Sequence, residues 1–213
     1  MRVLAALSGN ALLRGGEPAE AGAQPDDVAA AAEALAGVAE EHEVAIAHAF
    51  DARLGSALGL ALRNALPDRD LATVIVDVVV GTGAPGFLDG PSVLEPQAIV
   101  ELRSLRTLID AGALVICAGG GIPVALDGNG MLHGVEAVAD ENLTAALLAR
   151  RLDADLLVML TDADAVGSIG PKAEAARRFV EATGRRAAIG ELAKAVEVVR
   201  GASGTQISAQ GAA

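Results

Sequence analysis

The sequence has no tryptophan or tyrosine, and only three phenylalanines among 213 residues. Stacking of bases or sugars on aromatic rings is therefore excluded as a recognition device, and a core must be assembled from Ala, Val, Leu and Ile. Cysteine occurs once, at Cys117, so no internal disulfide forms. A lone thiol in an apolar run fits a reducing, cytoplasmic setting. Lysine is nearly as scarce: of 16 basic residues, only Lys172 and Lys194 carry an ammonium group. Chemistry that needs flexible cations has two places to find them, because arginine is a different tool. Basic runs are missing, and a formal net charge of −12 repels a phosphate backbone, so nucleic acid is not expected as a partner. Although 52% of residues are hydrophobic, no uninterrupted apolar run of about 18 residues occurs, so no membrane partner is expected. Gly9-Asn10 interrupts the opening apolar stretch, which reads as a buried first strand rather than a leader. The three histidines, His42, His48 and His133, lack metal-ligand spacing, and no metal site is read from them.

The length suits a single domain with its own core, taken as residues 1–213. Short apolar runs at residues 2–7 and 43–48 flank an Ala-rich stretch, Asp26 to Glu41, preceded by Pro25 and with Asp26 or Asp27 available as a cap. The pattern repeats. Thr73 to Val80 reads as a strand, Pro96 to Ala111 as a helix and Ala113 to Ala118 as a buried strand. Helices at Asp140 to Leu152 and Lys172 to Thr183 each precede a strand, at Asp155 to Leu160 and Arg186 to Ile189. Strands apolar throughout, alternating with amphipathic helices, imply an α/β fold with a parallel sheet covered on both faces. Gly81 to Pro91 is the largest break, and residues 201–213 read as a small polar tail that could be mobile.

In such a sheet ligands gather at the carboxyl ends of the strands. Ser8-Gly9-Asn10 follows the first strand, and Gly119-Gly120-Gly121 follows Val115-Ile116-Cys117. Glycines let backbone N–H groups approach an anion closely, although each loop taken singly is equally a tight turn. Thr161-Asp162-Ala163-Asp164 ends another strand. Its carboxylates suit magnesium or a ribose hydroxyl, and equally a turn or cap. Gly170-Pro171-Lys172 opens a helix and puts one mobile cation near these loops, unless it is simply a solvated lysine. His48 ends its strand and is either a ligand contact or a satisfied strand-end side chain. No Walker lysine or dinucleotide fingerprint occurs.

Together these segments resemble the carbamate kinases of the amino-acid kinase superfamily. The resemblance rests on Ala6 to Leu13, Ile99-Val100-Glu101, Val115 to Val124, Gly134 to Val138, Asp153 to Leu157 and Gly170 to Ala176, in order along most of the chain. It implies an open three-layer α/β/α sandwich with a mainly parallel sheet, a homodimer, and phosphoryl transfer between ATP and carbamate with Mg2+. By matching position, it implies that Gly9 and Asn10 meet the transferred phosphoryl group, that Ser8 and Gly119 to Gly121 face the small substrate, and that Asp162, Gly170 and Lys172 serve the nucleotide.

Several positions depart from the family pattern. Ser8 stands where glycine is usual, and a glycine-rich His-Gly-Asn-Gly segment reads His48-Ala49-Phe50-Asp51. Asp140-Glu141-Asn142 replaces an Asp-Lys-Asp helix start, turning an expected lysine into glutamate. The family's protruding subdomain is missing between about Val80 and Phe87, as is much of the nucleotide-covering segment between Asp164 and Ser168. Since phosphoryl transfer depends on positive charge around the transferred group, the alternative is a non-catalytic ligand-binding or dimeric scaffold protein. A weaker third reading is a superfamily member acting on a different carboxylate or phosphate. Arg14, Arg53 and Arg103 are candidates to replace the lost lysines.

Overall fold

A computed structural model describes residues 1–8, 11–12, 24–48, 52–81, 93–118, 123–162 and 169–209. The first half of the chain runs β1 (Arg2–Leu7), α1 (Pro25–Glu41), β2 (Glu43–His48), α2 (Ala52–Ala65), β3 (Leu71–Ile75), β4 (Val78–Val80), β5 (Val93–Leu94), β6 (Pro96–Ile99) and α3 (Leu102–Asp110). The second half runs β7 (Leu114–Ala118), β8 (Pro123–Leu126), β9 (Leu132–Gly134), β10 (Val138–Ala139), α4 (Glu141–Arg151), β11 (Leu156–Thr161) and α5 (Ile169–Thr183). It closes with β12 (Arg186–Glu191), a 3-10 turn at Leu192–Lys194, α6 (Ala195–Arg200) and β13 (Thr205–Ile207).

Seven strands form the main sheet in the order β13-β12-β11-β1-β2-β7-β3. All neighbours are parallel except β12 and β13. Side chains alternate between two cores, as strand geometry requires. Val3, Ala5 and Leu7 of β1 pack with α1, α2 and α6. Leu4 and Ala6 pack with α3, α4 and α5. The result is the expected three-layer α/β/α sandwich. Small side chains carry it: Ala31, Ala32 and Ala39 of α1 are buried against the sheet, and Phe179 is the largest of the fully buried side chains.

A second sheet, β6-β4-β8-β9, packs beside the α4 layer, and β5 pairs with β10. Thr73 to Val80 is therefore two strands rather than one. The chain leaves the main sheet at Val76-Asp77, where the Asp77 amide donates to Glu101 Oε2 at 2.8 Å, and the Val100 amide donates to the Asp77 carbonyl. The helix read from Pro96 begins only at Leu102, because Pro96–Ile99 pairs antiparallel with β4. Tertiary pairing overrides local propensity here. Asp26 and Asp27 lie inside the first turn of α1, at the positive end of its dipole, and Gln24 occupies the cap position. Residues 201–213 are not simply a tail, since Thr205–Ile207 forms an edge strand on β12.

Arg2 ties the amino-terminal edge of the sheet together. Its guanidinium donates to Glu43 (3.2 Å), Asp110 (2.8 Å) and the Leu152 carbonyl (2.9 Å), joining β1 to β2, α3 and the end of α4. The opposite edge carries the carboxyl ends of the parallel strands.

Gly204 sits at φ +71°, where a Cβ would run into the Ile189 carbonyl. Gly204→Ala is expected to lower unfolding free energy by about 1–3 kcal/mol by separating β13 from β12. Gly128, with open space around it, gives the control: Gly128→Ala is expected to be close to neutral in the same urea titration.

Candidate functional site

Because β1, β2, β7 and β11 are parallel neighbours, their carboxyl ends lie at one edge. The chain crosses outward from β1 to β2 and later returns to β11 on the other side, so β1 marks a topological switch point. A cavity of about 330 Å³ opens there. Ser8, His48, Cys117 and Met159 contribute its floor from four strands, and α4 and α5 supply Glu141 and Lys172.

Lys172 is 3% exposed, which settles it as a buried rather than a solvated lysine. It lies near the start of α5, whose buried face continues through Ala175, Ala176 and Phe179, so the helix stripe that packs the core also fixes the lysine. No hydrogen bond or ion pair to its ammonium occurs among the described residues. Lys172 lines the cavity, where an anion would supply the counter-charge for its ammonium. Lys194, the other lysine, is half exposed and pairs with Glu191 at 2.8 Å.

Glu141 opens α4 behind Asp140, whose side chain caps the helix by accepting from the Leu143 amide at 2.8 Å. Glu141 keeps contact with solvent at the cavity wall. Desolvation nonetheless pushes its carboxyl above the ordinary range. The Lys172 ammonium opposes that shift and Asp140 adds to it. Both residues line the cavity, and no ion pair joins them among the described residues. Burial pushes the Cys117 thiol up to about 12, so it is no nucleophile at neutral pH.

Ser8 and Asp162 are brought together through an intermediate residue. Ser8 Oγ donates to Thr161 Oγ1 (3.3 Å), and Thr161 Oγ1 donates to Asp162 Oδ1 (3.4 Å). This hydroxyl chain crosses from the end of β1 to the end of β11, next to the Ser8 amide bond to the Leu160 carbonyl. Ser8 and Lys172 share the cavity, and Asp162 lies beside it. Gly170 is exposed in the first turn of α5 with open space where a Cβ would be, and it does not line the cavity. Gly9, Asn10, Gly119, Gly120, Gly121 and Arg14 lie outside the described residues. Arg53 and Arg103 are exposed and away from the cavity lining, so neither replaces a lysine there.

Thr144 escaped the sequence reading. Its Oγ1 is buried at the cavity wall with no hydrogen-bond partner among the described residues. The signal was present: Glu141, Thr144, Ala145 and Leu148 follow one helix face at i, i+3, i+4 and i+7, and all four line the cavity. No helix among the described residues is long and apolar enough to cross a membrane.

The sequence model of the amino acid kinase family matches residues 1–202. A carbamate kinase of Rhizobium meliloti is 34% identical over 302 aligned positions, covering 98% of this chain and 93% of that protein. That alignment is longer than the 213 residues present, so much of it falls in gaps of this chain. The carbamate kinase of Haemophilus influenzae is 32% identical and covers 98% and 97%. The structure of carbamate kinase from Giardia lamblia bound to AMP-PNP superposes with a TM-score of 0.85 at 26% identity, covering 97% of this chain and 98% of that one. With nearly its whole length matched in sequence and in fold, the chain belongs to the amino acid kinase family as a carbamate kinase-like member.

Proposed function

We propose that the cavity at the carboxyl edge of the sheet holds nucleotide phosphates against Lys172 and supports phosphoryl transfer between ATP and carbamate. In this reaction a carbamate carboxylate oxygen bonds to the γ-phosphorus as the bond to the ADP oxygen breaks, giving carbamoyl phosphate and ADP. The observation that carries the reading is the buried Lys172, without a hydrogen bond or ion pair among the described residues, in one cavity with Ser8. The relatives named carbamate kinase, and the nucleotide analogue bound in the Giardia structure, support it. Lys172 neutralises charge on the phosphates, the larger part of catalysis in this class. In the same reading Gly9 and Asn10 receive the transferred phosphoryl group, Gly119 to Gly121 hold the carbamate, and Gly170 starts the helix that carries Lys172. No cluster of three metal-ligating side chains occurs among the described residues. A magnesium ion held largely by phosphates needs one or two carboxylates, and Asp162, fixed by Thr161, fits that need. When bound, the ion supplies further neutralisation of phosphate charge.

A second reading, ligand binding without transfer, draws on Glu141: it puts negative charge beside the lysine that is to meet an anion. A coupled assay with ADP, carbamoyl phosphate and magnesium separates the two. Turnover is expected, and Lys172→Ala is expected to lose about 100-fold or more in kcat. Equal rates in both proteins reject catalysis by this cavity, and magnesium-ADP binding without turnover favours the second reading.

Glu141 also sets a pH dependence. Its folded carboxyl is raised, so the neutral form is favoured by folding, and this contribution is lost as pH rises through the folded value. Sulfate, which does not titrate in this range, is expected to bind more tightly as pH falls from 7 toward 5. Glu141→Gln is expected to flatten that profile, bind sulfate about two- to fivefold more tightly at pH 7 and raise the melting temperature there. Calorimetric titrations at three pH values check the profile, and a profile unchanged by the substitution contradicts it.

A further inference from the structure

The segment Ile99-Val100-Glu101 is part of the family resemblance, yet none of its three residues lines the cavity. Its place in the fold is a junction between the two sheets. β3 ends at Ile75 in the main sheet, β4 begins at Val78 in the second, and Val76 and Asp77 alone connect them. The return crossing is equally short, from Ile99 at the end of β6 to Leu102 at the start of α3. It holds both backbone polar groups of Asp77: Glu101 Oε2 accepts from the Asp77 amide at 2.8 Å, and the Val100 amide donates to the Asp77 carbonyl at 3.1 Å.

Glu101 stands at the cap position of α3 without making a side-chain cap hydrogen bond, and glutamate is not a residue that this position favours. Its carboxylate serves the crossing instead. Leu105 and Ile109 bury α3 in the core, so the carboxylate is carried by the main body while it grips the strand that leaves for the second sheet. Val76 and Val78, on either side of Asp77, are buried and line the cavity, as does Pro123, which pairs with Val78. From this juxtaposition we infer that Glu101 is a positioning residue: its carboxylate locks the Asp77 crossing and thereby fixes the second sheet as a wall of the cavity. A charged acceptor makes the stronger hydrogen bond. Without it the soft backbone dihedrals of Val76 and Asp77 become a hinge on which the second sheet turns. The clasp stands on this geometry, while its service to nucleotide binding rests on the proposed function.

Cys117, the one cysteine of the sequence, lines the same cavity and shares a core cluster with Val76 and Val78. Its labelling by a thiol reagent at fixed pH therefore reports on the wall. Glu101→Ala is expected to label about tenfold faster than the unmodified protein, and Glu101→Gln, which keeps an acceptor oxygen at the same reach, within about threefold of it. Amide exchange at Leu114, which donates to the Asp70 carbonyl at the other end of β7, is expected to be unchanged, which separates opening of the wall from general loss of structure. Magnesium-ADP is expected to bind Glu101→Ala about tenfold more weakly, with the loss recovered in Glu101→Gln. Equal labelling of all three proteins, Glu101→Gln labelling as fast as Glu101→Ala, or Leu114 exchange accelerated as much as the labelling overturns the inference. So does an unchanged magnesium-ADP affinity in Glu101→Ala. If the unmodified protein does not bind magnesium-ADP, the nucleotide reading fails and the labelling comparison alone decides the role of Glu101. If Glu101→Ala does not fold, Glu101→Asp, one methylene shorter, takes its place in the same comparison.

Discussion

A single buried lysine beside the carboxyl ends of parallel strands organises this molecule. Lys172 is carried on the packed face of α5, so its position follows from the burial of Ala175, Ala176 and Phe179. A cation on the wall of a largely apolar cavity favours negative charge beside it. The surrounding features answer to that constraint: a topological switch point, a hydroxyl chain from Ser8 to Asp162, and a carboxylate on α4 that lines the same cavity.

The two edges of the main sheet divide the work. At the amino-terminal edge Arg2 satisfies acceptors on three elements and closes the structure. At the other edge the strands stop on Ser8, His48 and Thr161, polar residues that are themselves buried. Between the edges the core is built almost wholly from Ala, Val, Leu and Ile, which lets α1 approach the sheet closely through its alanines. Stability comes from many small contacts rather than a few aromatic ones.

Much of this was legible in the sequence, for reasons that differ by element. β1, β2, β7, β11 and β12 announce themselves because strands buried on both faces are continuously apolar. The start of α4 is legible through its Asp140 cap. Where pairing partners decide, the sequence was silent or misleading: Pro96–Ile99 has helix-like neighbours but is held as a strand by β4, and β13 is too short and polar to stand out until β12 is beside it. Ser8 and Asp162 stood out in loops following strands and Lys172 at a helix start, and Ser8 and Lys172 meet in one cavity. The role of Thr161 as the hydroxyl link and the aim of Thr144 were not, because both depend on which helix face turns inward. Glu141 was legible as a replacement of a lysine, but only the folded arrangement puts it on the wall of the cavity that Lys172 lines.

The scarcity of lysine supplies the most direct test of the claim that the buried ammonium is the anion-receiving group. Protein labelled with 15N at lysine side chains has two Nζ resonances, one from buried Lys172 and one from Lys194 on the surface beside Glu191. Titration with magnesium-ADP is expected to move the Lys172 resonance and slow its proton exchange while leaving Lys194 in place. A Lys172 resonance that stays fixed at saturating nucleotide, or a displacement confined to Lys194, would contradict the account.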